Sequence, residues 1–320
     1  MPRLRNSLIA ALAVLFAPAL FALDLPQNPT MPARTAVPGT INYIEGSAAI
    51  DGQPLPANAV GSATLQPGQE ISTTRGRAEV LLTPGIFFRL GDNSAAKMVS
   101  PDLTNTVVNL EHGRAAVEVD ELFQANDIHV IEDNVPVQLV KPGLYEFDAD
   151  RGSVMVFNGE AAALKPNGKF VAVKDGHILN VGAAAAMKTA KFDENGQEQS
   201  DLYRWSSLRS DYLAEANAQI AGQYGGGAYA PGWYWDPYMW DYTFLGAYPF
   251  YSPFGWGYYP LGWGGGFYGG GWGFRGHRGY YGGGYHGGSG FAGGGFHSGG
   301  EFGGGGFHGG GSFGGGGRGR

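Results

Sequence analysis

The stretch from Leu65 to Ser94 (LQPGQEISTTRGRAEVLLTPGIFFRLGDNS) constrains the fold more than any other. Ala78, Val80 and Leu82 alternate with Arg77, Glu79 and Leu81. After Thr83-Pro84-Gly85 the alternation resumes, with Ile86, Phe88 and Leu90 against Phe87 and Arg89. A period of two is strand geometry, so the run predicts a hairpin with one buried face, Phe88 inward and Phe87 outward. Pro84 pre-sets φ at the first central turn position and Gly85 can take a positive φ at the second. A type II turn or a bulged three-residue loop is therefore expected.

The same punctuation runs from Thr40 to Val181, through Asp51-Gly52, Pro84-Gly85, His112-Gly113, Pro142-Gly143, Asn158-Gly159, Asn167-Gly168 and Asp175-Gly176. Between these pairs lie strand candidates at Thr40–Ile44, Val107–Leu110, Ala115–Val119, Ile128–Ile131, Val135–Val140, Leu144–Phe147, Val154–Phe157 and Phe170–Val173. Short, regularly spaced strands with such turns predict a mainly β domain over residues 39–182, either an antiparallel sandwich, a barrel-like sheet or stacked meanders.

Within that domain a Leu65-x-x-Gly68 entry leads into Ile71-Ser72-Thr73, then Gly76-Arg77-Ala78-Glu79-Val80, the Pro84-Gly85 turn and Phe88-Arg89-Leu90-Gly91-x-Asn93-Ser94. This order resembles the FecR domain, and the likeness extends more thinly from about Gly39 to about Gly182. In the family's regulators that domain is periplasmic and is joined through a membrane helix to a cytoplasmic segment that controls an extracytoplasmic-function sigma factor. The resemblance implies an all-β fold and signal reception at a sheet surface, and no active residue. The few residues ahead of the first apolar segment leave no expected cytoplasmic part to hold a sigma factor.

Arg3 and Arg5 precede an apolar run from Leu8 to Ala22, followed by Asp24 and the proline-rich stretch to Pro38. This layout predicts a secretory signal over residues 1–22 and a flexible lead-in over 23–38, placing the mature chain in the periplasm or outside the cell. Fifteen residues broken by Pro18 are short for a membrane anchor. The chain has no cysteine for a disulfide, a thiol catalyst or a lipid anchor. Of its 57 glycines, 41 follow Ala221, so the core must come from the first two-thirds. With a formal charge of −7, carried before the glycine-rich end, a phosphate-binding face is not expected and nucleic acid is excluded as a partner.

Residues 183–199 read as a linker. From Ser200 to Ala221 the period changes: Leu202, Trp205, Leu208 or Arg209, Tyr212, Leu213, Ala216 and Ile220 recur at three- and four-residue steps, with Ser200 placed to cap. This predicts an amphipathic helix over 200–221 that packs on the β domain, dimerisation or membrane-surface docking being the alternative use of its stripe. Residues 222–273 are rich in Trp, Tyr, Pro and Gly. They are uncharged from Tyr242 through Phe274, but proline and glycine would leave backbone groups unpaired in lipid, so no membrane span is expected.

Residues 274–320 contain eleven-residue repeats. Phe274, Tyr285, Phe296 and Phe307 hold the fourth place and Tyr280, Phe291, Phe302 and Phe313 the tenth. Glycine spacers of this kind match neither helix nor strand period, and the repeats are expected to be disordered in isolation. Their rings are the candidate interaction residues, able to meet one another, an envelope protein or a polysaccharide, and self-association through them is a further expectation. His286, His297 and His308 recur at the same spacing, but flexible glycines set no coordination geometry, so neither a metal nor another cofactor is expected. Asp120-Glu121 and Glu132-Asp133 read as solvated charge at strand ends, and no acid, base and nucleophile converge. The expected function is a non-enzymatic binding module of the cell envelope; the alternative is a structural surface protein cohering through its tail.

Overall fold

The computed structural model describes residues 36–182, 187–223 and 230–260, and the chain is mainly β. In order, the strands are β1 Ile41–Ile50, β2 Gln53–Pro54, β3 Glu70–Leu81, β4 Ile86–Leu90, β5 Ala95–Asp102, β6 Asn105–His112, β7 Arg114–Val119, β8 Ile128–Glu132, β9 Val135–Leu139, β10 Gly143–Asp148, β11 Ser153–Asn158, β12 Glu160–Leu164, β13 Phe170–Lys174, β14 His177–Asn180 and β15 Thr189–Lys191. Helices α1 Glu194–Gln197 and α2 Asp201–Gln223 follow. Two hairpins close the described chain: β16 Gly232–Asp236 with β17 Asp241–Leu245, and β18 Phe250–Tyr251 with β19 Gly257–Tyr258.

Fifteen strands form one sheet in the order β13-β12-β9-β8-β6-β5-β3-β4-β7-β10-β11-β14-β15, with β1 laid along β3 and β2 folded back on β1. Strand β13 comes close to β11 and β14, near the far end of that order, so the sheet nearly closes into a barrel. All pairings are antiparallel except β6 with β8, where Thr106–Leu110 runs alongside Ile128–Glu132. Gly76 lies opposite Gly46 where β1 and β3 pass closest; a Cβ there would sit 2.4 Å from Glu45 O and Ser47 N, so only glycine permits the approach. At the β3–β4 turn, Ile86 N–H donates to Thr83 C=O at 2.8 Å and Gly85 has φ +85°, the positive value that a type II turn requires.

The barrel interior holds Ile41, Ile71, Val80, Phe88, Leu90, Val117, Val130, Phe147 and Val156, all essentially without exposure. The other face of β3, β4 and β7 is also covered, which corrects the expectation of a single buried face. Leu81 and Phe87 pack with Leu213 of α2 and with Tyr242, Phe244 and Tyr258 of the hairpins. Phe87 and Phe88 are 0% and 1% exposed. A sheet face read as polar is buried because a later part of the chain brings its own charges to it.

Three other expectations change. Residues 189–191, read as linker, pair with β14 as a strand. Leu202, Trp205, Arg209, Leu213, Ala216 and Ile220 form the buried stripe of α2, whereas Leu208 and Tyr212 are 48% and 40% exposed, so Arg209 occupies the disputed position. Its stripe packs on the sheet, and Ser200 Oγ accepts from Tyr203 N–H at 3.2 Å as the cap. Asp120 and Glu132, read as solvated, are buried. The signal segment 1–22 and most of the lead-in lie outside the described residues. Among the described residues no helix is long and apolar enough to cross a membrane.

Candidate functional site

The covered outer face of β3, β4 and β7 carries a charged layer. Register places Glu79 opposite Arg89, and Glu118 beside them opposite Phe87. Arg89 Nε donates to Glu79 Oε2 at 2.7 Å and its Nη1 lies 2.5 Å from Glu118 Oε2. From α2, Arg209 Nη2 donates to Glu79 Oε1 at 3.0 Å and to Asp241 Oδ2 on β17 at 2.8 Å, with its guanidinium 4.0 Å from the centre of the Tyr43 ring. Asn42 completes the junction: its Nδ2 donates to Glu79 Oε1 at 2.8 Å and to Tyr242 C=O at 2.9 Å, while its Oδ1 accepts from Tyr242 N–H at 2.7 Å. Ser210 Oγ donates to Glu118 Oε1 at 2.6 Å and lies 3.1 Å from Ser252 Oγ. Helix and hairpins are thereby tied to the sheet through side chains sealed from water.

The carboxyl groups of Glu79, Glu118, Asp120 and Asp241 share this layer with the guanidinium groups of Arg89 and Arg209. Burial works to raise Glu79, but Arg209 and Arg89 outweigh it and hold the group at about 2. Burial raises Asp241 to about 7, with Arg209 opposing and Glu79 and Asp236 adding to the rise. Asp120 is pushed well above its ordinary value, first by burial and then by the Glu118 carboxylate beside it. The Tyr258 phenol is pushed up by burial and by Asp120 and Glu118, and its hydroxyl donates to Ser210 C=O at 3.2 Å. The hydrogen bonds of the layer to Arg209 and Ser210 fix the position of α2.

A second group of buried acidic side chains is formed by Glu132, Glu146 and Asp148. Glu132 is fully buried, and burial with the neighbouring Asp148 carries its carboxyl to about 8. Arg114 pairs with Glu146, and Arg151 Nη1 lies 3.4 Å from Asp148 Oδ2. Among the described residues no three His, Cys, Asp or Glu side chains are arranged to hold a metal ion. His129 Nε2 lies 2.8 Å from Asp127 Oδ1, and His177 Nδ1 lies 2.8 Å from Asp175 O in a turn. Ser94 Oγ donates to Asp92 C=O and accepts from Arg114 N–H, a turn role.

The outward surface of the hairpin segment is aromatic: Tyr238, Trp240, Tyr248 and Tyr251 are 75%, 59%, 79% and 78% exposed. The eight ring positions singled out in the repeats, Phe274, Tyr280, Tyr285, Phe291, Phe296, Phe302, Phe307 and Phe313, lie outside the described residues. Sequence reasoning passed over Arg209, Asp241 and Glu79. The available signal was an arginine falling in step with an apolar stripe, together with an opposed Glu79 and Arg89 on one hairpin.

No protein-family model matches the chain, and no curated protein matches it. Among solved structures, two of a proposed anti-sigma factor from Parabacteroides distasonis ATCC 8503, at 2.50 and 1.65 Å, are similar to part of it. Their TM-scores are 0.33 and 0.34 and their identities 16% and 15%, each match covering 44% of this chain. The chain spans 64% of the length of those relatives, just under two thirds.

Proposed function

We propose that this chain is an exported, non-enzymatic, FecR-like binding module of the cell envelope, acting in signal reception. The observation that carries the reading is where its chemistry sits. The ion-paired side chains of Glu79, Arg89, Glu118, Arg209 and Asp241 are enclosed beneath α2 and the hairpins, whereas the outward surface of the hairpin segment is a group of large, uncharged rings. Groups sealed in this way position elements rather than meet a substrate, and exposed aromatics on packed elements are the usual material of a contact surface.

The test is fractionation with N-terminal sequencing, followed by cross-linking from the hairpin surface. A mature chain beginning near Leu23, recovered outside the cytoplasm and cross-linked to an envelope component, is the expected result. Intact Met1 or Pro2 in a soluble cytoplasmic fraction overturns it. The repeats of residues 274–320 favour a second reading, a surface protein that coheres through its tail. Deleting residues 261–320 separates the two: the module keeps its envelope partner, whereas a cohering protein loses self-association and retention together.

A further inference from the structure

The exposed rings at the end of the described chain belong to a braced hairpin. In β18 and β19, Phe250 pairs with Tyr258 and Tyr251 with Gly257. The Phe250 and Tyr258 rings stack 4.9 Å apart at 14° on the inner side, where Tyr258 is fully buried. Side chains alternate along a strand, so Tyr251 and Gly257, with Tyr259 two residues on, share the outer side. Tyr259 N–H donates to Asn217 Oδ1 at 2.7 Å and Asn217 Nδ2 donates to Tyr259 C=O at 3.0 Å, while Trp256 Nε1 donates to Ser207 C=O at 3.1 Å. These hydrogen bonds to α2, with that from the Tyr258 hydroxyl to Ser210 C=O, fix the platform.

Gly257 is not among the glycines with positive φ, so its backbone does not require glycine. A Cβ built there would lie 3.7 Å from Tyr251 Cε1, 3.7 Å from Tyr259 Cζ and 3.4 Å from the Tyr259 hydroxyl oxygen, which are ordinary contact distances. A side chain at Gly257 would touch both tyrosine rings, which are 78% and 41% exposed, so the glycine keeps the surface between them free of a methyl group.

We infer that Tyr251, Gly257 and Tyr259 form a stacking slot for an uncharged glycan chain. The rings supply flat apolar faces and the phenol hydroxyls supply donors and acceptors at their edges, the combination that matches a pyranose with its C–H face inward and its hydroxyls outward. No charged residue occurs from Tyr242 through Phe274, and the whole chain carries −7, so an acidic polysaccharide or a nucleic acid is disfavoured relative to a neutral one. The slot itself rests on this geometry, and the source of the glycan rests on the reading of the chain as an envelope binding module.

The test titrates the full-length protein with cellohexaose and with the hexamer of N-acetylglucosamine, using polygalacturonate as the acidic control, by calorimetry and aromatic fluorescence. Saturable binding of a neutral hexamer is expected, weakened about ten-fold or more by Tyr251→Ala and by Gly257→Ala. The Gly257→Ala methyl fits at ordinary contact distance, so unchanged circular dichroism in that variant shows that the fold is kept while the methyl stands between the rings. Failure of both neutral hexamers to bind, binding by both variants as tight as that of the unsubstituted protein, or concentration-dependent self-association abolished by Tyr251→Ala would each overturn the slot. If the slot fails while the Gly257→Ala protein is still retained in the envelope, the module reading stands without it. If intact protein stays in the cytoplasm, that reading falls and the binding data are unaffected.

Discussion

Arg209 replaces an apolar residue in the stripe of α2 and spans Glu79 and Asp241, so its removal leaves two buried carboxyl groups without their shared partner. Replacing a whole buried ionic set by apolar groups can be neutral, but removing one member is costly. Arg209→Met is therefore expected to lower the unfolding free energy by roughly 3–5 kcal/mol in chemical denaturation. With both faces of β4 packed, Phe87→Ala and Phe88→Ala are expected to cost similar amounts, roughly 3–5 kcal/mol each. A much smaller loss at Phe87 would mean that the cover over that ring is loose. The layer also sets a pH dependence. Asp241, raised from 3.8 to about 7, stabilises the fold fully below its ordinary value and loses that contribution as pH rises through the raised one. Glu132, raised from 4.5 to about 8, acts in the same direction. Glu79, lowered from 4.5 to about 2, acts oppositely, its contribution being lost as pH falls through the lowered value. Denaturation midpoints measured across pH should accordingly decline from mildly acidic toward alkaline conditions, and Asp241→Asn should flatten the part of the slope between 3.8 and about 7.

Elements were legible where period and punctuation agreed. The β3–β4 hairpin, its turn, most barrel strands and α2 follow from alternation, Pro84-Gly85 and the three- and four-residue steps. Strand β12 is all alanine between its end residues, β5 includes Pro101, and β16 to β19 sit among glycines and prolines, so local propensity gave little sign of them. The facing of Phe87 was misread for a different reason: alternation marks a residue as sitting opposite the core, but does not say whether water or a helix 120 residues later meets it. The charged layer was hidden by the same ambiguity, since Glu79 and Arg89 look like solvent-facing polar residues until Arg209 is placed beside them. The boundary of the folded unit moves with this. A chain ended after Gln223 lacks Tyr242, Phe244 and Tyr258 and should expose Leu81 and Phe87, giving strong binding of an apolar dye and a lowered Tm. Ending it after Pro260 should leave the Tm within a few degrees of the full chain. Equal Tm values for the two truncations would show that the hairpins contribute nothing to the core.

At the scale of the whole molecule, the two side-chain and main-chain bonds between Asn42 and Tyr242 join positions 200 residues apart. A chain made from its N-terminus at about 5–20 residues per second presents Asn42 roughly 10–40 s before its partner exists. During that interval the barrel strands can pair, while Glu79, Arg89 and Phe87 wait in water for their cover. Contacts of such sequence separation form late and slow folding. In stopped-flow refolding, the circular dichroism of the sheet should precede the fluorescence change of Trp233 and Trp235. Asn42→Ala should then raise the unfolding rate and leave the early phase unchanged. The junction that closes this protein is thus also a timer: the half-made chain carries an apolar, partly charged face that another protein could hold until synthesis supplies residue 242.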